Sequence, residues 1–96
     1  MAKVTVVAKL TVREDSIEPV RAELLKMIAP TRQEEGCIEY RLHQELENPA
    51  IFIFYENWQN MECLISHLNS QHFQEYVAAV GDLVIEKIVH KMAEIA

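Results

Sequence analysis

The residues best suited to chemistry lie between positions 52 and 73. Glu56 falls on the same face of a predicted strand as Phe52 and Phe54, and aromatic neighbours strip water from a carboxylate. Burial raises the pKa of a carboxyl group that has no partner, which is how enzymes prepare a general acid or base. A buried structural carboxylate, held by Tyr, His or backbone N–H groups, would give the same pattern, so both interpretations stay open.

Two histidines follow on predicted helical segments. His67 lies at the edge of the apolar stripe of its helix, where an imidazole can tip into a space between helix and sheet. Imidazole titrates near neutral pH and suits proton transfer, although a structural histidine would show the same spacing. His72 can approach His67 only if the helix breaks at Asn69–Ser70. An iron site formed by both histidines and Glu56 is conceivable, but nothing in the spacing requires it, and we predict no metal.

Three further features near these residues have more ordinary explanations. Trp58 ends the strand that carries Glu56; it fits a core position, but an indole there would also form a flat wall for an aromatic ligand. Cys37 fits a small buried side chain, and His43 and His90 fit surface positions. The sequence contains no Gly-rich phosphate loop, serine nucleophile elbow or Cys/His zinc spacing.

The composition describes one globular domain covering residues 1–96. Hydrophobic residues make up 50% and charged residues 25%, a balance that excludes a disordered chain. The net charge of −6 repels phosphate backbones, and no apolar run reaches the roughly 18–20 residues of a membrane span, so we expect neither nucleic acid nor membrane as a partner. Two cysteines are too few for a secreted disulfide scaffold, and the N-terminus has no signal-peptide pattern; we therefore expect a cytoplasmic protein with free thiols.

Hydropathy periodicity predicts the element order β-α-β-β-α(α)-β. Asp15 or Ser16 is expected to cap the first helix, Pro30 to kink it or start a new turn, and Gly36 to end it. Asn60 is expected to cap the second helix. The predicted strands span residues 3–12, 37–45, 51–58 and 83–92, and the predicted helices span 17–35, 61–68 and 73–80.

This order is typical of the ferredoxin-like α+β class, in which a four-stranded antiparallel sheet carries helices on one face. The opposite face would present Val7, Ile53 and Tyr55, and a single chain has no second layer to cover them. Packing against a second copy is the most economical way to bury these side chains. We therefore predict a homodimer with the two sheets packed face to face.

Three segments of the sequence resemble segments of the antibiotic biosynthesis monooxygenase superfamily. Together with the first strand, residues 4–10, they extend the resemblance over nearly the whole chain. The stretch from Arg32 to Tyr40 resembles the motif R-x-E-x-G-C-x-x-Y. The stretch from Phe52 to Trp58 resembles F-x-x-x-E-x-W, and the stretch from His67 to Phe73 resembles H-x-x-S-x-H-F. The ordered set is more specific than any one of its pieces.

The resemblance implies a dimeric ferredoxin-like fold with a pocket between helices and sheet. It also implies oxygenation of quinols or polycyclic phenols with O2, without metal, flavin or other cofactor. Carried over by position, the catalytic residues are Glu56, His67 and His72, and the substrate-binding residues are Trp58, Phe73, Tyr40 and Phe54.

Haem-degrading relatives share this fold but carry residues that this sequence lacks. The first strand offers Lys9 and no Asn, His67 occupies the position of a Trp, and Tyr76 and Val77 stand where a haem-ligating His is expected. The closer resemblance is to the small quinol monooxygenases and to an isomerase of a phosphorylated autoinducer sugar. The isomerase would need a cationic anchor, for which Arg32 is the only obvious candidate.

These features predict a cofactor-independent monooxygenase acting on a small quinol or polyphenol, with His67 transferring the proton and Glu56 orienting or tuning it. The first alternative is the phosphorylated keto-sugar isomerase, which would use the same His and Glu without O2. The second is a non-catalytic dimer that sequesters small aromatic molecules.

Overall fold

Four antiparallel strands form one sheet in the computed structural model, which describes residues 2–96. The strands are β1 (Val4–Val12), β2 (Cys37–Gln44), β3 (Ile51–Trp58) and β4 (Val84–Met92), in the spatial order β2-β3-β1-β4. Because each central strand pairs with a partner far away in the sequence, the sheet joins all parts of the chain. The predicted ferredoxin-like α+β class is confirmed.

Four helices connect the strands: α1 (Ile17–Lys26), α2 (Ile28–Arg32), α3 (Met61–Leu68) and α4 (Gln71–Val80). Short 3₁₀ turns lie before α1, at Glu14–Ser16, and after α4, at Gly81–Leu83. Within residues 2–96, the helices are all too short or too polar to span a bilayer.

The break between α3 and α4 is confirmed, and each of the two helices begins at a side-chain cap. Asn60 begins α3, where its Oδ1 accepts a hydrogen bond from the Cys63 N–H at 2.9 Å. Ser70 begins α4, where its Oγ accepts from the Phe73 N–H at 3.3 Å. Each cap satisfies an N–H that has no partner within its helix, so the chain can stop one helix and start another within two residues.

The start of α1 and the position of Pro30 differ from the sequence-based predictions. The predicted side-chain cap at Asp15 or Ser16 is wrong. The Ser16 hydroxyl instead donates to Asp15 at 2.9 Å, and Asp15 pairs with Arg13 at 3.1 Å. The first helix breaks at Met27, three residues before Pro30, which lies inside α2. Proline is tolerated there because N–H groups of a first helical turn have no helical partner.

The two faces of the sheet differ in burial. The β1 side chains Val6, Leu10 and Val12 are at most 3% exposed beneath the helices. On the opposite face, Val7 pairs with Tyr55, which is 37% exposed. The open face continues onto β4, where it includes three exposed side chains, Ile88, His90 and Met92.

Gly36 is the one residue that the described chain places at positive φ, +83°, in the turn before β2. A Cβ at this position would overlap the Sγ of Cys63 and lie 2.7 Å from its Cβ. We therefore expect Gly36→Ala to lower the free energy of unfolding by roughly 2–4 kcal/mol, since backbone strain adds to overpacking. Urea denaturation measures this value.

Gly81→Ala is the matched control, because a Cβ at Gly81 meets no atom within 4 Å and its φ is −52°. We expect that variant to differ from the wild type by less than about 1 kcal/mol. Equal stability of the two variants would show that the turn at Gly36 can relax without cost.

Candidate functional site

A cavity of about 210 Å³ lies between the sheet and helices α3 and α4. Its walls are largely apolar, as is typical of small-molecule sites. The aromatic lining residues are Tyr40, Phe54, Phe73 and Tyr76; the aliphatic ones include Val6, Ala8, Leu10, Leu64 and Leu68; the ionisable side chains are Glu56, His67, Lys87 and Lys91.

The polar group with the most hydrogen bonds near this cavity is centred on Glu34, which, like His72, is not among the residues that line it. Its Oε2 lies 2.7 Å from Nδ1 of His67 and 2.7 Å from Nε2 of His72. A carboxylate oxygen can only accept, so both ring nitrogens donate to it. The structure therefore brings the two predicted histidines together, with ring centroids 6.0 Å apart, through a carboxylate that the prediction did not include.

The helix break places both imidazoles on Glu34. His67 lies in the last turn of α3 and His72 in the first turn of α4. Between them, the Ser70 hydroxyl donates to the carbonyl of His67 at 2.7 Å. On an unbroken helix, two side chains five residues apart point in different directions. Ser70, which caps α4 and bonds the last turn of α3, therefore also sets the geometry of the two imidazoles.

Glu34 is held in a turn with several hydrogen bonds between α2 and β2. The Glu34 N–H donates to the Thr31 carbonyl at 3.0 Å, and the Glu34 carbonyl accepts from Cys37 N–H at 3.2 Å. Arg32 donates through Nε and Nη2 to the Tyr40 carbonyl, at 3.1 and 2.9 Å. Arg32 thus ties the turn to β2, and its fork is occupied by backbone rather than directed at a phosphate.

His67 is prepared to act as a base at its second nitrogen. The ring is 1% exposed, and this burial lowers the pKa of His67, while the hydrogen bond to Glu34 partly opposes the shift. The neutral ring that results keeps its proton on Nδ1, facing Glu34. Nε2 then carries a lone pair, and no hydrogen bond within residues 2–96 occupies it.

Glu56 is a second, separate acid–base group in the cavity. Burial raises its pKa to about 7, against the opposing effects of a hydrogen bond from Trp58 Nε1–H, 2.9 Å from Oε1, and the charge of Lys87. The carboxylate hydrogen-bonded to His67 is Glu34 and not Glu56, so the expectation that Glu56 orients His67 is wrong in this respect. Glu56 and His67 nevertheless line the same cavity.

Three of the four aromatic residues predicted to bind substrate line the cavity, and the fourth lies behind it. Tyr40, Phe54 and Phe73 line the cavity, with Tyr40 stacked on Phe54 at 5.0 Å between ring centroids. Trp58 is completely buried and is not among the lining residues; its ring packs 4.7 Å from that of His67. Trp58 therefore positions His67 and Glu56, and the expectation of a ligand wall does not match its location.

Glu34, His67 and His72 also form a group whose ligand atoms, all within 4.8 Å of one another, could approach a metal ion. The iron site considered from the sequence used a different carboxylate, Glu56. The N–O separations of 2.7 Å are hydrogen-bond distances, whereas a tetrahedral zinc ion with bonds of about 2.0–2.1 Å holds its ligand atoms about 3.3 Å apart. The present geometry is that of a hydrogen-bond network, and a metal ion would have to increase the distances between Glu34 and the two histidine nitrogens.

The sequence matches the family model described as Antibiotic biosynthesis monooxygenase over residues 3–79. The chain belongs to this family. The match confirms the resemblance inferred from the three motifs, and it includes Glu34, Glu56, His67 and His72.

Relatives within this monooxygenase family support the fold over the whole chain. Rv0793 of Mycobacterium tuberculosis, provisionally named a monooxygenase, is 34% identical over 85 residues, covering 88% of this chain and 83% of that protein. Its solved structure aligns at 31% identity with a TM-score of 0.93, covering 99% of this chain and 97% of that one. PA3566 of Pseudomonas aeruginosa aligns at 27% identity with a TM-score of 0.95, covering 100% and 97%.

The raised pKa of Glu56 makes stability depend on pH. Because its folded-state pKa of about 7 lies above the ordinary value of 4.5, its contribution is fully present below about pH 4.5 and is lost as the pH rises to 7. We expect the free energy of unfolding of the wild type to fall by on the order of 3 kcal/mol relative to Glu56→Gln over that range. Denaturation midpoints at pH 4.5, 6 and 8 measure the difference.

Glu62→Gln, an exposed carboxylate on α3, is the control for Glu56→Gln. It should follow the wild-type pH dependence. If Glu56→Gln also follows it, Glu56 is ionised normally in the folded protein, and the cavity is wetter than its lining indicates.

Proposed function

We propose that this family member is a cofactor-independent monooxygenase that oxidises a small quinol or polyphenol with O2. The observation that carries the proposal is the pairing of His67 with Glu34: one ring nitrogen donates to a carboxylate, and the other is free at an aromatic-walled cavity. That arrangement supplies an imidazole base, whose pKa burial lowers, beside a place where an aromatic ring can lie. The quinol substrate, the catalytic mechanism and the homodimer are all parts of this proposal.

In the proposed reaction, Nε2 of His67 accepts the proton of a substrate hydroxyl. Glu34 stabilises the imidazolium that forms, through the hydrogen bond at Nδ1. The phenolate passes one electron to O2, and the two radicals combine to form a carbon–oxygen bond. The peroxide anion takes the proton back from Nε2 of His67, and loss of water then breaks the O–O bond and removes the hydrogen from the oxygenated carbon. The balance is quinol plus O2 to hydroxyquinone plus water, with the substrate supplying all four electrons.

The rest of the cavity binds and shields the substrate. The stacked rings of Tyr40 and Phe54 give a flat surface for an aromatic substrate, and Phe73 meets His67 edge-on at 5.2 Å. Burial raises the pKa of Tyr40, which keeps its hydroxyl protonated. A protonated Glu56 can donate a hydrogen bond to a second substrate oxygen, a role that its raised pKa near 7 makes available at neutral pH.

The proposal includes a homodimer formed through the open face of the sheet. Apolar side chains on that face run across three strands through Tyr55, Val7 and Ile88. Pairing through this face leaves the cavity, on the helical side, open to substrate. Sedimentation at micromolar concentration should give about twice the 11.1 kDa chain mass; a monomer would contradict this part of the proposal.

The test is O2 uptake by the metal-stripped protein with a panel of small dihydroxy-aromatic compounds. We expect uptake above the spontaneous rate, unchanged by added chelator. With ¹⁸O2, one labelled atom should appear in the product and the other in water. Restoration of activity by a divalent ion after chelation would instead point to a metal-dependent reaction at the Glu34 group.

No uptake with any quinol would overturn the oxygenase proposal. Conversion of a phosphorylated keto-sugar without O2 would then support the isomerase. Binding of aromatics without turnover of either class would support the non-catalytic dimer.

A further inference from the structure

Two lysines of β4 enter the cavity beside the catalytic groups. Lys87 and Lys91 line it together with Val89, which lies between them on the same face of the strand. Their partners on β1 are Leu10 and Val6, both buried under the helices, so this is the helix-covered face rather than the open face proposed for the dimer. Both lysines are exposed, so a ligand can reach them from the β4 side of the cavity.

The strand register places the lysines at the end of the cavity opposite β2. One row across the sheet runs from Tyr40 through Glu56 and Val6 to Lys91. Neighbouring strands lie about 4.8 Å apart, so the backbones of Glu56 and Lys91 are about 10 Å apart. The cavity floor thus has a carboxyl group near its middle and an ammonium group at the β4 edge.

Lys87 is directed towards the centre by an aromatic contact. Its Nζ lies 5.6 Å from the centroid of the Phe73 ring, whose centroid is 5.2 Å from that of His67. Laid end to end, these distances put the ammonium at most about 11 Å from the imidazole centroid. A ligand that contacts both groups at once can therefore be no longer than a single ring with its substituents.

In the part of the chain that the structure describes, Lys87 and Lys91 form no direct ion pair, although the charge of Lys87 acts on Glu56 in the same cavity. Neither takes part in any ion pair formed within residues 2–96, although acids outnumber Lys and Arg by 15 to 9. Glu56, the one carboxylate-bearing residue that lines the cavity, is already hydrogen-bonded by Trp58. The backbones of the two lysines lie about 13 Å apart along β4, so an anion between their side chains would be attracted by both ammonium groups.

We propose that the substrate of this cavity is a single-ring molecule bearing an anionic group, a carboxylate or a phosphate, which Lys87 and Lys91 hold at the β4 edge. Lysine acts as a point charge and does not require the planar geometry that arginine favours, so either anion satisfies the pair. β4 lies outside residues 3–79, the part of the chain that matches the family model. The assignment of the opposite end of the ligand to His67 rests on the proposed function.

Binding of non-reacting analogues tests the inference apart from catalysis. The probes are 4-hydroxybenzoate and its neutral isostere 4-hydroxybenzamide, with phenyl phosphate as a second anion, titrated into the full chain by calorimetry. We expect each anion to bind at least about tenfold more tightly than the amide at low salt, and added salt to reduce the difference. The double variant Lys87→Gln/Lys91→Gln should bring the preference within about twofold.

Lys3→Gln is the matched control, since it removes one exposed lysine outside the cavity and should keep the anion preference. Equal binding of acid and amide, retention of the preference in the double variant, or no binding of any probe at millimolar concentration would overturn the inference. An anion preference without O2 uptake would leave this site standing while the oxygenase proposal fails. Uptake with neutral quinols and no anion preference would give the reverse result.

Discussion

His67→Ala is expected to lower kcat/KM for O2-dependent quinol oxidation by about 100- to 10,000-fold, the usual contribution of a positioned acid–base group. The substitution removes the only imidazole that lines the cavity. Without it, Glu56 is the remaining acid–base group in the cavity, and under the proposed mechanism Glu56 donates a hydrogen bond to the substrate rather than accepting its proton. Initial O2 uptake at saturating quinol measures the loss.

Two controls separate a chemical role of His67 from a packing role. His43→Ala removes an exposed imidazole on β2 and should retain full activity. Imidazole added to the His67→Ala protein can occupy the space left by the side chain and should restore part of the rate. A folded His67→Ala protein, verified by its thermal transition, that keeps more than about a tenth of wild-type activity would rule out His67 as the base.

Glu34→Gln is expected to reduce kcat/KM by roughly 10- to 100-fold while leaving the protein folded, since the amide has nearly the same shape. The carboxylate accepts from both His67 and His72 and raises the pKa of His67 against the effect of burial. An amide has one accepting and one donating end. It can turn its NH2 group to Nδ1, which leaves the proton on Nε2, where the base is needed.

The pH dependence distinguishes this positioning role from a structural one. Loss of the Glu34 charge should lower the pKa of His67 further, so the low-pH limb of kcat/KM should shift to lower pH. Imidazole ¹⁵N shifts report the same change and the tautomer directly. Glu35→Gln, one residue away and exposed, is the control and should leave both readouts unchanged. An unshifted His67 titration in Glu34→Gln would contradict the proposed pairing.

The sheet was predictable because strand alternation is a local property. Alternation alone assigns Glu56 to the helix-covered face of β3, where the structure places it, 5% exposed. The cap at Asn60 and the break at Ser70 are equally local, since a side chain there bonds an N–H three residues ahead. The start of α1 was predicted wrongly because Arg13 competes for the Asp15 carboxylate that was expected to cap the helix.

Glu34 and the β4 lysines could not be assigned in the same way. Glu34 lies in a turn, without periodicity, and its partners are 33 and 38 positions away. Its sequence signal is its place in the R-x-E-x-G-C segment, in the turn of four residues between α2 and β2. The face of Lys87 depends on the register of β4, which an apolar strand with exposed residues on both sides leaves undetermined.

The distance along the chain between Glu34 and its two histidines links activity to the completeness of folding. This contact closes a loop of 33 residues, so it requires the sheet to hold the α2–β2 turn beside the end of α3. A nascent or partly unfolded chain therefore has the imidazole of His67 but lacks its hydrogen bond to Glu34. Under the proposed mechanism, such a chain cannot start radical chemistry with O2, so misfolded copies in a cell would be inactive rather than sources of uncontrolled oxidation.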